Sequence, residues 1–137
     1  MTLFGQEHVE RYQETGGEEG HEWRGTNTLL LTTTGRRSGE PRTTPLIYAP
    51  AGENAYTVVA SKGGSDTPPA WYLNLSEDPE VEVQIMGEQF RARARTADPE
   101  EKPAMWRAMT REWPDYDAYQ RNTIREIPVV VLERLRS

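Results

Sequence analysis

The sequence predicts a mainly β domain with short helices (α+β), a small and mostly antiparallel barrel of about six strands. Two observations carry that expectation. Apolar runs of strand length, bounded by Thr, Gly and Pro, recur along the chain, and one segment alternates strictly with a period of two. Helix signals are few. With 137 residues the chain suits one core, and a domain of this size needs neither disulfides nor a structural metal to stay folded.

The first 25 residues carry six Glu against two Arg, a balance of −4. Phe4 to Tyr12 reads as one short helix, and Gly16, Gly17 and Gly20 among glutamates predict a mobile acidic arm at 1–25 before a barrel at 26–137. Thr28 to Thr34 places three leucines between threonines as a first strand. Thr43 to Ala49 and Ala55 to Ser61 form the second and third, joined by a hairpin-length Pro50-Ala51-Gly52-Glu53-Asn54. Pro69 to Leu75 reads as one or two helical turns.

Glu80 to Met86 sets Val81, Val83 and Ile85 on one face and Glu or Gln on the other, the mark of a half-buried strand. Gly87-Glu88 suits a tight turn into Gln89 to Arg95, whose Arg91, Arg93 and Arg95 face the glutamates across the sheet. Such pairs contribute about 0.2–1 kcal/mol each, so this arginine row reads as scaffold. Asp98-Pro99-Glu100-Glu101 combines an N-cap, a first-turn Pro and a carboxylate three residues on, predicting a helix from Pro99 to about Glu112. Met105, Trp106, Met109 and Trp113 share its core face. A shorter helix, Asp115 to Asn122, and a closing strand, Pro128 to Leu132, complete the chain.

Composition excludes several chemistries. Zero cysteines remove thiol nucleophiles, disulfide redox chemistry and Cys-based metal sites, and two histidines, His8 and His21, leave little for a His-based one. A net charge of −6 argues against nucleic acid as a partner. No apolar run approaches the length of a membrane span and the N-terminus lacks a signal-peptide pattern, so a cytoplasmic protein without stable membrane insertion is expected.

Three features stand apart from the scaffold. Gly35-Arg36-Arg37-Ser38-Gly39-Glu40-Pro41-Arg42 places three arginines and two glycines in one loop, a composition suited to phosphate or carboxylate and equally to a solvated turn. Ala60-Ser61-Lys62-Gly63-Gly64 sets one of two lysines beside glycines at a strand end, again a phosphate cradle or an ordinary turn. Trp71-Tyr72 and the cluster Trp113, Tyr116 and Tyr119 either pack in the core, the better reading for Trp113, or wall a planar ring. GxSxG, HExxH and GxGxxG motifs are missing, which favours a cofactor enzyme or a non-enzymatic binder.

The blocks Leu30-Leu31-Thr32-Thr33-Thr34-Gly35-Arg36-Arg37-Ser38-Gly39-Glu40-Pro41-Arg42, Ala60-Ser61-Lys62-Gly63-Gly64, Trp71-Tyr72-Leu73-Asn74-Leu75 and Ile127-Pro128-Val129-Val130-Val131 resemble the deazaflavin (coenzyme F420)-dependent nitroreductase family. The resemblance covers Thr26 to the C-terminus. It implies a split β-barrel, related to FMN-binding oxidoreductases, that binds coenzyme F420 with its polyglutamate tail and passes a hydride to a quinone, activated enone or nitro compound. By the same resemblance Arg36, Arg37, Ser38 and Arg42 hold the phosphate and tail. Thr43, Thr44, Pro45, Leu46 and Ile47, with Val59, Ala60, Ser61, Lys62 and Gly63, line the deazaflavin. Ala70, Trp71, Tyr72, Leu73 and Asn74 close the other side, and Tyr116 also contacts the cofactor.

Ser61, Tyr116 and Tyr119 are the implied catalytic set, one hydroxyl or a water delivering the proton. Trp113 stands where the nitro-drug-reducing type has tyrosine, a departure that bears on nitro specificity and not on the cofactor. The alternatives are an FMN-dependent split-barrel oxidoreductase and a non-enzymatic deazaflavin-binding module. The expected partner is a small-molecule electron acceptor, and the chain is a monomer or a homodimer.

Overall fold

The three leucines of the first long strand are buried on both of its faces, and that fact organises the molecule. In the computed structural model, which describes residues 5–135, β2 (Thr26–Thr34) sends Leu29 and Leu31 into the main core with Val58, Val81, Val83, Val130 and Leu132. Leu30 points the other way and meets Val9 and Tyr12 of α1 (Gly5–Thr15). Each leucine so buried contributes about 2 kcal/mol.

The remaining elements are β1 (Glu22–Trp23), β3 (Pro41–Ile47), β4 (Ala49–Pro50), β5 (Ala55–Val59), α2 (Ala70–Glu77), β6 (Glu80–Ile85), β7 (Glu88–Thr96), α3 (Lys102–Glu112), α4 (Asp115–Arg121) and β8 (Val129–Arg134). The sheet runs β1-β2-β6-β7-β8-β5-β4 with β3 also on β2, and every pairing is antiparallel. It curls into a half-barrel carrying four short helices among the described residues. The α+β, split-barrel class expected from the sequence is the one observed, with two-residue strands β1 and β4 added to the six expected.

The continuous apolar run of β8 has the same cause as that of β2. Val130 and Leu132 enter the main core, while Val129 and Val131 join Met109, Tyr116 and Ile127 under α3 and α4. The expected strand Thr43 to Ala49 divides at Tyr48, so that β3 stays on β2 and β4 crosses to β5. Between β6 and β7 the turn is Met86-Gly87, one residue earlier than expected, with Ile85 opposite Glu88. Glu80 faces Arg93 and Glu82 faces Arg91 in register, and Arg91 bridges to Glu80 at 2.9 Å. The arginine row is scaffold.

The capping box forms as its residues predict. Asp98 Oδ1 accepts from the Glu101 N–H at 2.9 Å, and Glu101 Oε2 accepts from the Asp98 N–H at 2.9 Å. Regular helix starts at Lys102, after this capped turn. Arg95 also binds the Glu101 carboxylate, which together with the Asp98 N–H holds that carboxyl below its ordinary range.

The largest difference lies at 1–25. Where described, this segment is built into the domain and not a free arm: Tyr12 is 0% exposed, and β1 pairs with β2. The expected helix Phe4 to Tyr12 runs from Gly5 to Thr15, Phe4 lying outside the described residues. Glycines that suggested mobility make close turns instead. A Cβ at Gly17, where φ is +85°, would lie 2.6 Å from Met86 Cα. Among the described residues no helix is long and apolar enough to cross a membrane.

Candidate functional site

Two cavities open side by side along β3 and share Thr44 and Trp71. The first, about 500 Å³, is lined by Gly35, Arg36, Arg37, Ser38, Pro41, Arg42, Thr43 and Thr44, with Gln6 of α1 and Ala70, Trp71 and Asn74 of α2. The second, about 480 Å³, continues over Thr44, Pro45, Leu46 and Ile47 to Val59, Ser61 and Lys62. Its walls are Gly5, His8, Trp23, Thr28, Pro69, Trp71, Trp113, Tyr116 and Tyr119. They form one groove, cationic at one end and aromatic at the other. No carboxylate lines either cavity among the described residues.

The cationic end is a loop closed on itself. The Gly35 N–H donates to the Glu40 carbonyl at 2.8 Å and the Gly39 N–H to the Gly35 carbonyl at 2.8 Å. Ser38 Oγ accepts from the Glu40 N–H at 3.1 Å, and a Cβ at Gly35 would sit 2.7 Å from that oxygen, so a larger residue there would displace the Ser38 hydroxyl. Asn74, 4% exposed, hooks the loop from α2. Its Oδ1 accepts from the Arg36 backbone N–H at 3.2 Å and from Arg36 Nη1 at 2.9 Å, while its Nδ2 donates to Thr33 Oγ1 at 3.2 Å. Arg36, Arg37 and Arg42 enter no ion pair among the described residues. Three guanidinium groups are thus left facing solvent at one spot, the donor set an anion with several negative charges requires.

At the aromatic end the Ser61-Lys62 turn is held from below by Arg125, a residue the sequence gave no reason to single out. Arg125 Nη2 donates to the carbonyls of Ala60 (3.2 Å) and Ser61 (2.7 Å), and its Nε to that of Ser65 (2.7 Å). Lys62 occupies a left-handed conformation at φ +48°, rare for a side-chain-bearing residue and a mark of a constrained turn. Gly64 lets that turn press on α4: at φ +83°, a Cβ there would lie 2.9 Å from both Cα and O of Tyr119.

Tyr116 and Tyr119 stack edge-on at 6.0 Å, and Trp113 Nε1 donates to the Tyr119 hydroxyl at 3.3 Å. Burial, then the neighbouring Tyr119, pushes the Tyr116 phenol well above its ordinary value. Trp113, expected in the core, packs partly buried against it and also lines the cavity, where it meets Trp23 at 5.5 Å with planes 38° apart.

Of the residues singled out from the sequence, the groove gathers Arg36, Arg37, Ser38, Arg42, Thr43 to Ile47, Val59, Ser61, Lys62, Ala70, Trp71, Asn74, Tyr116 and Tyr119. Ala60, Tyr72 and Leu73 are not among its lining residues. Ala60 is fully buried in the main core, and the Tyr72 hydroxyl meets Thr96 Oγ1 of β7 at 2.9 Å. On α2, residues i, i+3 and i+4 share a face, which turns Ala70, Trp71 and Asn74 to the groove and Tyr72 and Leu73 away. The placement of Gly63 against the groove lies outside what the structure describes. Gln6, His8 and Trp23 line the groove without having been singled out, all from the acidic N-terminal segment.

The geometry fits an elongated ligand with an anionic tail and a planar ring, and known proteins point the same way. The family model described as F420H(2)-dependent quinone reductase matches residues 4–134. A protein of Mycobacterium tuberculosis strain H37Rv named F420H(2)-dependent quinone reductase Rv1261c is 41% identical over 127 residues, which cover 90% of this chain and 85% of that protein. A solved structure described as a domain-swapped dimer has TM-score 0.75 and 36% identity, over 93% of this chain and 96% of that one. Another, described as an F420-H2 dependent reductase (FDR-A), has TM-score 0.71 and 37% identity, over 77% of this chain and 93% of that one. Matched by the family model over residues 4–134 and by the Mycobacterium tuberculosis relative over 90% of its length, the chain belongs to the F420H(2)-dependent quinone reductase family.

Proposed function

We propose that the protein is an oxidoreductase that uses reduced coenzyme F420 to reduce a quinone or a similar electron-poor acceptor. The observation that carries this is a cavity lined by three arginines, which pair with no carboxylate among the described residues, adjoining an aromatic chamber at Thr44 and Trp71. When bound, the reduced deazaflavin supplies two electrons and a proton as a hydride. The residues do the rest. Arg36, Arg37 and Arg42 hold phosphate and tail carboxylates, with Asn74 fixing the Arg36 fork. Thr43 to Ile47, Val59, Ser61 and Lys62 seat the ring along β3 and the end of β5.

Trp23, Trp113, Tyr116 and Tyr119 exclude water and leave a flat slot for the acceptor. Tyr116 lines this chamber, and its hydroxyl offers a hydrogen bond to an oxygen that gains negative charge. The domain-swapped relative supports a homodimer in solution, which light scattering on a sizing column reads.

Titration of the protein with oxidised coenzyme tests the reading. Micromolar protein should quench or shift the coenzyme's fluorescence. No change at high micromolar concentrations refutes it, and a protein that purifies yellow with bound FMN points to the FMN-dependent alternative.

A further inference from the structure

His8 is 3% exposed, lines the aromatic cavity, and has no part in the reading above. Its Nε2 lies 2.7 Å from the Gly20 carbonyl oxygen. A carbonyl only accepts, so Nε2 carries a proton. Gly20, at φ +107°, packs against the same edge of the ring: a Cβ there would meet His8 Cδ2 at 3.0 Å and Nε2 at 3.2 Å. The Nδ1 edge is turned away from that contact. Nδ1 has no hydrogen-bond partner among the described residues, where no sealed side-chain nitrogen or oxygen lacks one, so it borders open space.

Gly20 fixes the tautomer: in a neutral imidazole with its proton on Nε2, Nδ1 is an acceptor. The same cavity holds the Trp23–Trp113 pair at 5.5 Å, a wall for a flat ring.

We propose that His8 is a specificity-determining residue of the acceptor end, and that it selects planar aromatics bearing a hydroxyl, whose O–H donates to Nδ1. This ligand class includes hydroxyl-substituted quinones and the hydroquinones formed from quinones. The proposal rests on the aromatic cavity being the acceptor end of the groove.

Calorimetric titration of the full chain with 1-naphthol and 1-methoxynaphthalene, without coenzyme, tests it. The two probes have similar shape, but the ether cannot donate. His8→Gln retains an amide N–H for the Gly20 carbonyl and lacks an acceptor at the Nδ1 position. It should bind 1-naphthol about fivefold more weakly, bind 1-methoxynaphthalene unchanged, and keep its thermal midpoint. His8→Asn places an acceptor near the Nδ1 position and gives up the Gly20 bond, so it should melt earlier and retain a preference for 1-naphthol.

Equal losses for both probes in His8→Gln, an unchanged 1-naphthol affinity, or no binding of either probe to the unsubstituted protein overturns the proposal. Coenzyme fluorescence titrations run alongside separate the two readings. A His8-dependent naphthol preference with no coenzyme binding defeats the F420 reading alone, and coenzyme binding with no His8 effect defeats this one alone.

Discussion

A single oxygen of Asn74 holds Arg36 twice, accepting from its backbone N–H at 3.2 Å and from its guanidinium at 2.9 Å. The amide is buried and the guanidinium is exposed, so α2 fixes the base of the arginine loop and leaves the remaining donors of the fork for a ligand. Asn74→Ala should weaken coenzyme binding several-fold by releasing Arg36. It should also lower stability by about 1–3 kcal/mol, because Thr33 loses its buried partner. Coenzyme titration and urea unfolding of the same preparation separate the two effects.

Tail recognition predicts a dependence on charge. Arg36→Ala and Arg42→Ala should lose more affinity for coenzyme with a long polyglutamate tail than for the bare chromophore, and the difference should shrink at high salt, since both side chains are exposed. Equal losses for long and short tails would remove the tail from the account.

The contact between the Ser61-Lys62 turn and α4 predicts that Gly64→Ala is costly. The new methyl meets Tyr119 backbone at 2.9 Å on a residue already at φ +83°. A loss of about 1–3 kcal/mol, or roughly 3–10 °C in Tm, is expected, together with weaker acceptor binding as Tyr119 shifts. Differential scanning calorimetry reads the first effect and acceptor KM the second.

Tyr12 clamps α1 to the sheet. Its hydroxyl donates to the Thr28 carbonyl at 2.9 Å and accepts from the Met86 N–H at 2.9 Å. Burial is the main cause that pushes its phenol up to about 12. An unfolded tyrosine ionises near pH ~10. Between ~10 and ~12 the unfolded chain therefore binds fewer protons than the folded one, and stability falls as pH rises. Tyr12→Phe should cost about 1–3 kcal/mol at neutral pH and make the alkaline decline shallower. Urea midpoints at pH ~9 and ~11.5 provide the check.

Legibility from the sequence followed the range of the physics. Signals that act within a few residues were readable: the alternation of Val81, Val83 and Ile85, the Asp98–Glu101 capping box, and the glycines and arginines of the 35–42 loop. The three-leucine run read as a strand, but what buries Leu30 lies in α1, whose apolar face is little more than Val9 and Tyr12 among glutamates. Local composition therefore suggested an arm where tertiary contacts build a wall.

His8 and Trp23 escaped notice for the same reason, since nothing in their neighbourhoods marks a site and only the fold carries them to β3 and α4. Tyr72 and Leu73 belong to the Trp71–Leu75 block that carries the family resemblance, although neither is among the residues that line the groove.

The most direct test of the central claim is anaerobic mixing of reduced coenzyme F420 with a soluble quinone, with and without the protein, followed by the return of the oxidised coenzyme's fluorescence. The account predicts turnover that depends on protein, consumes one quinone per coenzyme oxidised, and is impaired by Arg36→Ala and by Asn74→Ala. A rate equal to the protein-free control, in a preparation that binds the coenzyme, would contradict it and leave a binding module in place of an enzyme.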